Sequence, residues 1–358
     1  MKKNIPLFLS VLFFLAACQP FPAAVSAPPA ATPTAPPAAA SAPTASLPPT
    51  QAPVPSDTPL PAPSATPLPP PTASPTSRPD VPDFAHIVVF FFENEEFDSV
   101  IGNPAMPYYN QLAGENTLLT QFYAETHPSL PNYIATFGGD TFGISSDCTD
   151  CFINSPSLPD QIEAGGRTWR AYLEDMPKPC FVGDHDAYAQ KHNPFIYFDP
   201  IRLDTARCSS SIVPLTQLDS DLAAGKLPNL VYIMPNLCNS AHDAPINPAC
   251  SLATADGWLK VQVQKLQASL QPRAGAEPYL IVVTWDEGQT DKSCCGLPAG
   301  AGGRIATLLV SPLAKPGFLD ATPYTHYSLL RTIETAWGLP LLGHAADAGN
   351  VVIRAPWK

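Results

Sequence analysis

The chain has 358 residues, 46 of them proline and only 14% charged, with a formal net charge of −12. So acidic a chain excludes nucleic acid and anionic membrane surfaces as partners held by general attraction, and any anionic ligand must be bound locally by a cation or by histidines. The proline is unevenly placed, with 21 of the 46 falling between Gln19 and Asp80, which leaves Val81 to Lys358 as the stretch able to build a large core.

Met1, Lys2 and Lys3 make a basic start, and Ile5 to Ala17 is an apolar run too short to span a bilayer comfortably. Together they predict a signal peptide over residues 1–17. Cys18 follows directly on Leu15-Ala16-Ala17, which resembles the bacterial lipobox. The resemblance implies cleavage before Cys18 and lipidation of its thiol, with an ordinary secretory signal as the alternative. Residues 18–80 repeat Ala, Pro, Ser and Thr and cannot bury enough apolar surface to offset the entropy of ordering. They read as a disordered tether, rising about 3.1 Å per residue wherever it is extended as polyproline II. Residues 81–358 then form one domain, expected as a monomer on the outer side of the membrane, an extracytoplasmic lipoprotein of the cell envelope.

Eight cysteines remain after Cys18, and an even number outside the cytoplasm points to disulfides. Cys148 and Cys151 have C-x-x-C spacing, read here as a structural bridge rather than half a metal site. The adjacent Cys294 and Cys295 either bridge each other or pair with two distant partners.

In chain order, His86–Phe92 is a continuous apolar run of the kind buried on both faces of a sheet, ending at Glu93. Helix-like spacing follows over Pro159–Glu174. Leu230–Met234 reads as a second strand, Asp256–Leu270 as a helix, and Tyr279–Thr284 as a third strand ending at Trp285-Asp286-Glu287. Ile305–Val310 is a fourth strand and Tyr327–Trp337 a last helix. Strands alternating with helices predict an α/β fold with a mostly parallel central sheet sandwiched by helices.

Ligands of such sheets bind beyond the C-terminal strand ends, where Glu93, Asn94, Asp286 and Glu287 would converge. Carboxylates gathered at one edge repel unless a cation stands between them, so one divalent metal is expected. Oxygen donors favour Mg²⁺, Ca²⁺ or Mn²⁺ over Zn²⁺. A hydroxyl nucleophile is sought nearby, and Ser129 in Thr126-His127-Pro128-Ser129-Leu130-Pro131-Asn132-Tyr133 stands at a turn opening a helix. It reads equally well as a nucleophile facing backbone N–H groups or as an N-cap. His127, His242 and His326 share contexts of this kind, whereas His86, His185, His192 and His344 are read as structural.

Five motifs in order then resemble the phosphoesterase family, which contains bacterial acid phosphatases and non-haemolytic phospholipases C within the alkaline-phosphatase-like superfamily. They are Glu93-Asn94-Glu95-Glu96-Phe97-Asp98, the Ser129 turn, Pro235-Asn236 with His242-Asp243, Thr284-Trp285-Asp286-Glu287-Gly288, and His326 through Glu334. The resemblance implies that Glu93, Asn94, Asp286 and Glu287 hold the metal together with Ser129, the nucleophile. It implies that His127, His242 and His326 line the phosphate site, and it sets Asn132 and Asp243 against the substrate. Asp286-Glu287 replaces the Asp-His of two-zinc relatives, which favours one metal. Tyr133 stands where sulfatases need arginine, which disfavours a sulfatase. The activity expected is metal-dependent hydrolysis of a small phosphate ester, first a phosphomonoesterase working through phosphoserine. The alternatives are a phospholipase C-type phosphodiesterase and a catalytically silent binding protein.

Overall fold

The computed structural model describes residues 80–270 and 277–358. The expected signal peptide, Cys18 and the tether up to residue 79 lie outside the described residues. Among the described residues no helix is long and apolar enough to cross a membrane.

The Ile, Val and Phe side chains of β1 (His86–Phe92) leave no polar face for water, and all but its first residue are buried. The strand accordingly takes the middle of the sheet. The others are β2 (Thr117–Tyr123), β3 (Trp169–Leu173), β4 (Ile212–Pro214), β5 (Leu230–Met234), β6 (Tyr279–Trp285), β7 (Arg304–Val310), β8 (Phe318–Asp320) and β9 (Tyr324–Thr325). They form one sheet in the order β4-β3-β5-β1-β6-β7-β2-β8, with β9 also paired to β2. Every pairing is parallel except those of β7, which runs antiparallel to both β6 and β2. The fold is therefore the mixed α/β architecture read from the sequence, with a large and mostly parallel sheet flanked by helices.

Three details differ. The helix expected over Pro159–Glu174 runs only from Leu158 to Ala164. Gly165 and Gly166, the latter at φ 75°, stop it, and the chain re-enters the sheet as β3. Second, β2 was not anticipated, and its ladder with β7 shifts register between Leu119 and Phe122, which breaks the alternation that marks a strand. Third, β7 is reversed, so its N-terminal end, not Ser311-Pro312, meets the edge where the other strands finish.

The parallel strands all aim at that edge, and the segments leaving them carry Glu93, Ser129, Glu174, His242, Asp286 and His326, of which Ser129 and His326 each begin a helix. Four disulfides brace the loops: Cys148–Cys151, Cys180–Cys208, Cys238–Cys250 and the vicinal Cys294–Cys295. All eight cysteines expected to pair do so, which accords with an oxidising, extracytoplasmic setting.

Candidate active site

β1 and β6 are neighbours in exact step, Phe92 opposite Trp285, so the residues that follow them arrive side by side. Asn94 turns the chain at φ 61° and donates its backbone N–H to Asp286 Oδ1 at 3.0 Å. The Glu93 backbone N–H donates to the Ser240 carbonyl at 3.0 Å, which pins the loop carrying His242 against the end of β1. That loop is closed by Cys238–Cys250 and is held from below by Glu174, which accepts from Asn236, Asn239 and Trp258.

Ser129 is the first residue of a helix running to Gly138, with Pro128 in the capping position. Its side chain is therefore free of the capping role and points into the site. Ser129 Oγ donates toward Glu93 Oε2 at 3.3 Å and Glu287 Oε1 at 3.2 Å. The turn is tight: a Cβ at Gly302 would stand 2.4 Å from the Thr126 carbonyl oxygen, so only glycine lets that segment pack there.

Two expected site residues prove to be scaffolding. Asn132 is fully buried; its oxygen accepts the backbone N–H groups of Glu125 and Thr126, and its amide donates to the carbonyls of Thr126 and Pro128. Its hydrogen-bonding capacity is spent on closing the turn, not on a substrate. His326 is likewise fully buried behind the turn, Nδ1 facing Glu125 Oε2 at 2.5 Å and Nε2 facing the Trp285 carbonyl at 3.0 Å. With both ring nitrogens engaged it cannot line a phosphate site. Asp243 also acts indirectly, accepting from His242 Nδ1 at 2.9 Å and so leaving Nε2 to face outward from that pair. His127 is about one-third exposed and hydrogen-bonds through Nδ1 to Glu287 Oε2.

The sequence reading missed three residues. His192, taken as structural, is buried beside Glu93: Nε2 lies 3.0 Å from Glu93 Oε1, yet out of line for a hydrogen bond, so that nitrogen has no hydrogen-bond partner. Lys191 places Nζ 3.4 Å from Ser129 Oγ and 2.8 Å from Asp147 Oδ2. Asp147 Oδ1 in turn accepts the Leu130 backbone N–H at 3.0 Å. The signal available in the sequence was a lysine and a histidine in succession, within a long loop of a chain that is poor in cations.

Electrostatics set these groups apart. Burial raises the Glu93 carboxyl, but His192, then Lys191 and His242, outweigh it and hold Glu93 at about 2. Burial, then Glu93 and Glu287, push Asp286 well above the usual carboxylate range. Burial lifts Glu287 to about 7 against the opposing pull of His127. Burial lowers the Lys191 ammonium, but Glu93, Asp147 and Asp286 more than compensate and hold it above its ordinary value.

A divalent cation fits this surplus of carboxylate. Asp286 is fully buried, and its Oδ2 has no hydrogen-bond partner. Glu93, Asn94, Ser129 and Glu287 are linked to one another or to Asp286 by hydrogen bonds, which gathers oxygen donors in its neighbourhood. Beside them, ligand atoms of Glu93, His192 and His242 lie within 4.8 Å of one another. The imidazoles of His192 and His242 thus stand next to the mainly oxygen donors read from the sequence.

A parallel-sheet edge bearing a helix-initiating serine among strand-end carboxylates defines a hydrolase of the alkaline-phosphatase-like fold. A solved structure of a protein in that superfamily from Vibrio parahaemolyticus superposes with a TM-score of 0.50 at 12% identity, over 75% of this chain and 71% of the other. The chain belongs to the phosphoesterase family, whose model matches residues 103–340, and is thus a phosphoric ester hydrolase. It is 31% identical to the phosphatidylinositol-3-phosphatase of Mycobacterium tuberculosis, over 75% of this chain and 82% of that protein. It is 32% identical to an acid phosphatase of Aspergillus fumigatus over 73% of this chain, but spans only 57% of that longer protein.

Proposed function

We propose that the protein is a metal-dependent phosphomonoesterase that passes through a phosphoserine on Ser129. The observation that carries this reading is the Ser129 hydroxyl, freed from capping at a helix start and hydrogen-bonded to both Glu93 and Glu287. A serine hydroxyl is a poor nucleophile until its proton has somewhere to go. Glu287 Oε1 accepts from the Ser129 hydroxyl at 3.2 Å and is placed to receive that proton. His242, oriented by Asp243, presents Nε2 to protonate the departing alkoxide. A divalent metal held by Glu93, Asn94, Asp286, Glu287 and Ser129 would supply Lewis-acid stabilisation of the developing charge. The oxygen donors favour Mg²⁺, Ca²⁺ or Mn²⁺, with the imidazoles of His192 and His242 at the margin.

Two relatives named as phosphatases support a monoester substrate, a small phosphate ester or a phosphorylated headgroup. The enzyme acts as a monomer tethered to the membrane outside the cytoplasm through lipidated Cys18. Labelling with a palmitate analogue, lost in Cys18→Ser, checks the anchor. The deciding experiment compares release from p-nitrophenyl phosphate and bis-p-nitrophenyl phosphate over pH 4 to 9, with and without EDTA, for wild type and Ser129→Ala. Monoester turnover lost on substitution and weakened by chelation supports the proposal, while turnover of the diester alone moves the enzyme to the phospholipase C type.

A further inference from the structure

We propose that Lys191, held in place by Asp147, is a catalytic cation that makes this site select phosphate monoester dianions over diester monoanions. The inference rests on Ser129 being the nucleophile and adds the group that chooses its substrate. Lys191 Nζ lies 3.4 Å from Ser129 Oγ, so a phosphorus atom bonded to that oxygen brings its non-bridging oxygens within reach of the ammonium. The ammonium is not loose. Asp147 grips it at 2.8 Å through one oxygen, while the other takes the Leu130 N–H in the first turn of the nucleophile's own helix. One carboxylate thus ties the lysine and the serine to a common frame, and the lysine side chain is only 16% exposed.

The backbone behind Lys191 is fixed as firmly. Gln190 donates its amide to the Thr149 carbonyl at 2.8 Å and accepts the Gly183 N–H at 2.6 Å, and the His192 carbonyl accepts the Tyr232 hydroxyl at 2.6 Å. A flexible point charge has been immobilised where a solvated lysine would gain nothing.

A phosphate monoester carries between one and two negative charges near neutral pH, its second pKa lying at about 6. A diester carries one, and an ester group occupies the position of the missing charge. A fixed ammonium beside the nucleophile gains most from the second charge, in a partly desolvated site where Coulomb interactions are strong. In the transfer, the Ser129 Oγ–P bond forms as the bond from phosphorus to the leaving oxygen breaks. The serine proton passes to Glu287 and the alkoxide is protonated by His242. Water then attacks phosphorus and gives a proton to the neutral His242, the Oγ–P bond breaks, and Glu287 returns its proton to the Ser129 oxygen, so inorganic phosphate leaves and both groups are reset. Lys191 keeps its proton throughout and stabilises the charge on the transferred group.

The test uses the full chain and the variants Lys191→Met, Lys191→Arg and Asp147→Asn, assayed on p-nitrophenyl phosphate and its bis-ester, with inorganic phosphate binding followed by calorimetry. Lys191→Met is expected to lower monoester kcat/KM about 100-fold or more, as loss of one oxyanion donor does. It should lower diester kcat/KM less than about 10-fold and weaken phosphate binding. Lys191→Arg should restore part of the monoester rate, and Asp147→Asn should lower monoester kcat with less effect on KM. Equal losses on both esters, or phosphate affinity unchanged in Lys191→Met, would overturn the proposal. Should Lys191→Met fail to fold, Lys191→Gln takes its place, and an unchanged monoester-to-diester ratio in that variant counts against the proposal. An inactive wild type would strike at Ser129 as nucleophile, while phosphate affinity would still judge Lys191.

Discussion

Replacing Glu334 by glutamine should change how the stability of the protein depends on pH. Glu334 lies on the helix His326–Trp337 with its side chain fully buried. One oxygen accepts the Leu342 N–H at 2.8 Å, and the other has no partner. Burial pushes its carboxyl from the ordinary 4.5 to about 8, against the smaller opposing effects of the Leu342 N–H and Arg331. Between those two values the folded protein keeps a proton that the unfolded chain has released. Stability contributed by the protonated carboxyl is complete below pH 4.5 and is lost as pH rises through about 8. At about 1.4 kcal/mol per pH unit, the interval sets an upper bound of about 5 kcal/mol. Glutamine keeps the shape and the Leu342 hydrogen bond but buries an amide N–H₂ without an acceptor, a pH-independent cost of about 1–3 kcal/mol. Glu334→Gln should therefore be the less stable protein at pH 4.5 and the more stable one at pH 8.5. Urea unfolding of both proteins at several pH values, followed by tryptophan fluorescence, reads the difference. A difference that stays flat from pH 4.5 to 8.5 would refute the assignment of a neutral, buried Glu334.

Three further outcomes are expected. Ser129→Ala should lose at least about 10³-fold in monoester kcat while keeping its melting temperature within a few degrees, measured by steady-state assay and calorimetry. Asp286→Asn, which relieves repulsion from Glu93 and Glu287, should melt above wild type in EDTA. It should gain less than wild type when Mg²⁺, Mn²⁺ or Ca²⁺ is added, and an equal metal-induced rise in both proteins would count against Asp286 as a ligand. His326→Asn should act on stability, lowering it by about 3–5 kcal/mol because Glu125 is left buried with its partner removed. A fully stable His326→Asn protein that had lost only activity would return His326 to the phosphate site.

The legible parts of the sequence were those governed by short-range rules. β1 and β6 announced themselves because strands buried on both faces must be continuously apolar, and the carboxylates at their ends followed. Ser129 was legible as a residue at a helix start, but whether it capped the helix depended on Pro128 taking that position, a matter of one residue in phase. His326 and His192 both stand elsewhere than their local contexts suggested, for a long-range reason. The first is covered by Glu125 from a loop 201 residues away, and the second is brought to Glu93 from 99 positions along the chain. Neither contact leaves a trace in local spacing. Lys191 was passed over for the same reason, since Asp147, which gives it a fixed place, lies 44 positions away along the chain.

The exact step between β1 and β6 has a consequence for how such an enzyme can change. Glu93, Asn94, Asp286 and Glu287 take their spacing from a ladder of seven paired residues, and a slip of one position would turn every one of those side chains to the wrong face. The reacting centre is therefore inherited all or nothing and offers no gradual route of adjustment. The disulfide-braced loops around it carry no such constraint, and Lys191 and Asp147 both stand on them. New substrates can be sampled there by insertion and substitution while the chemistry beneath stays in register.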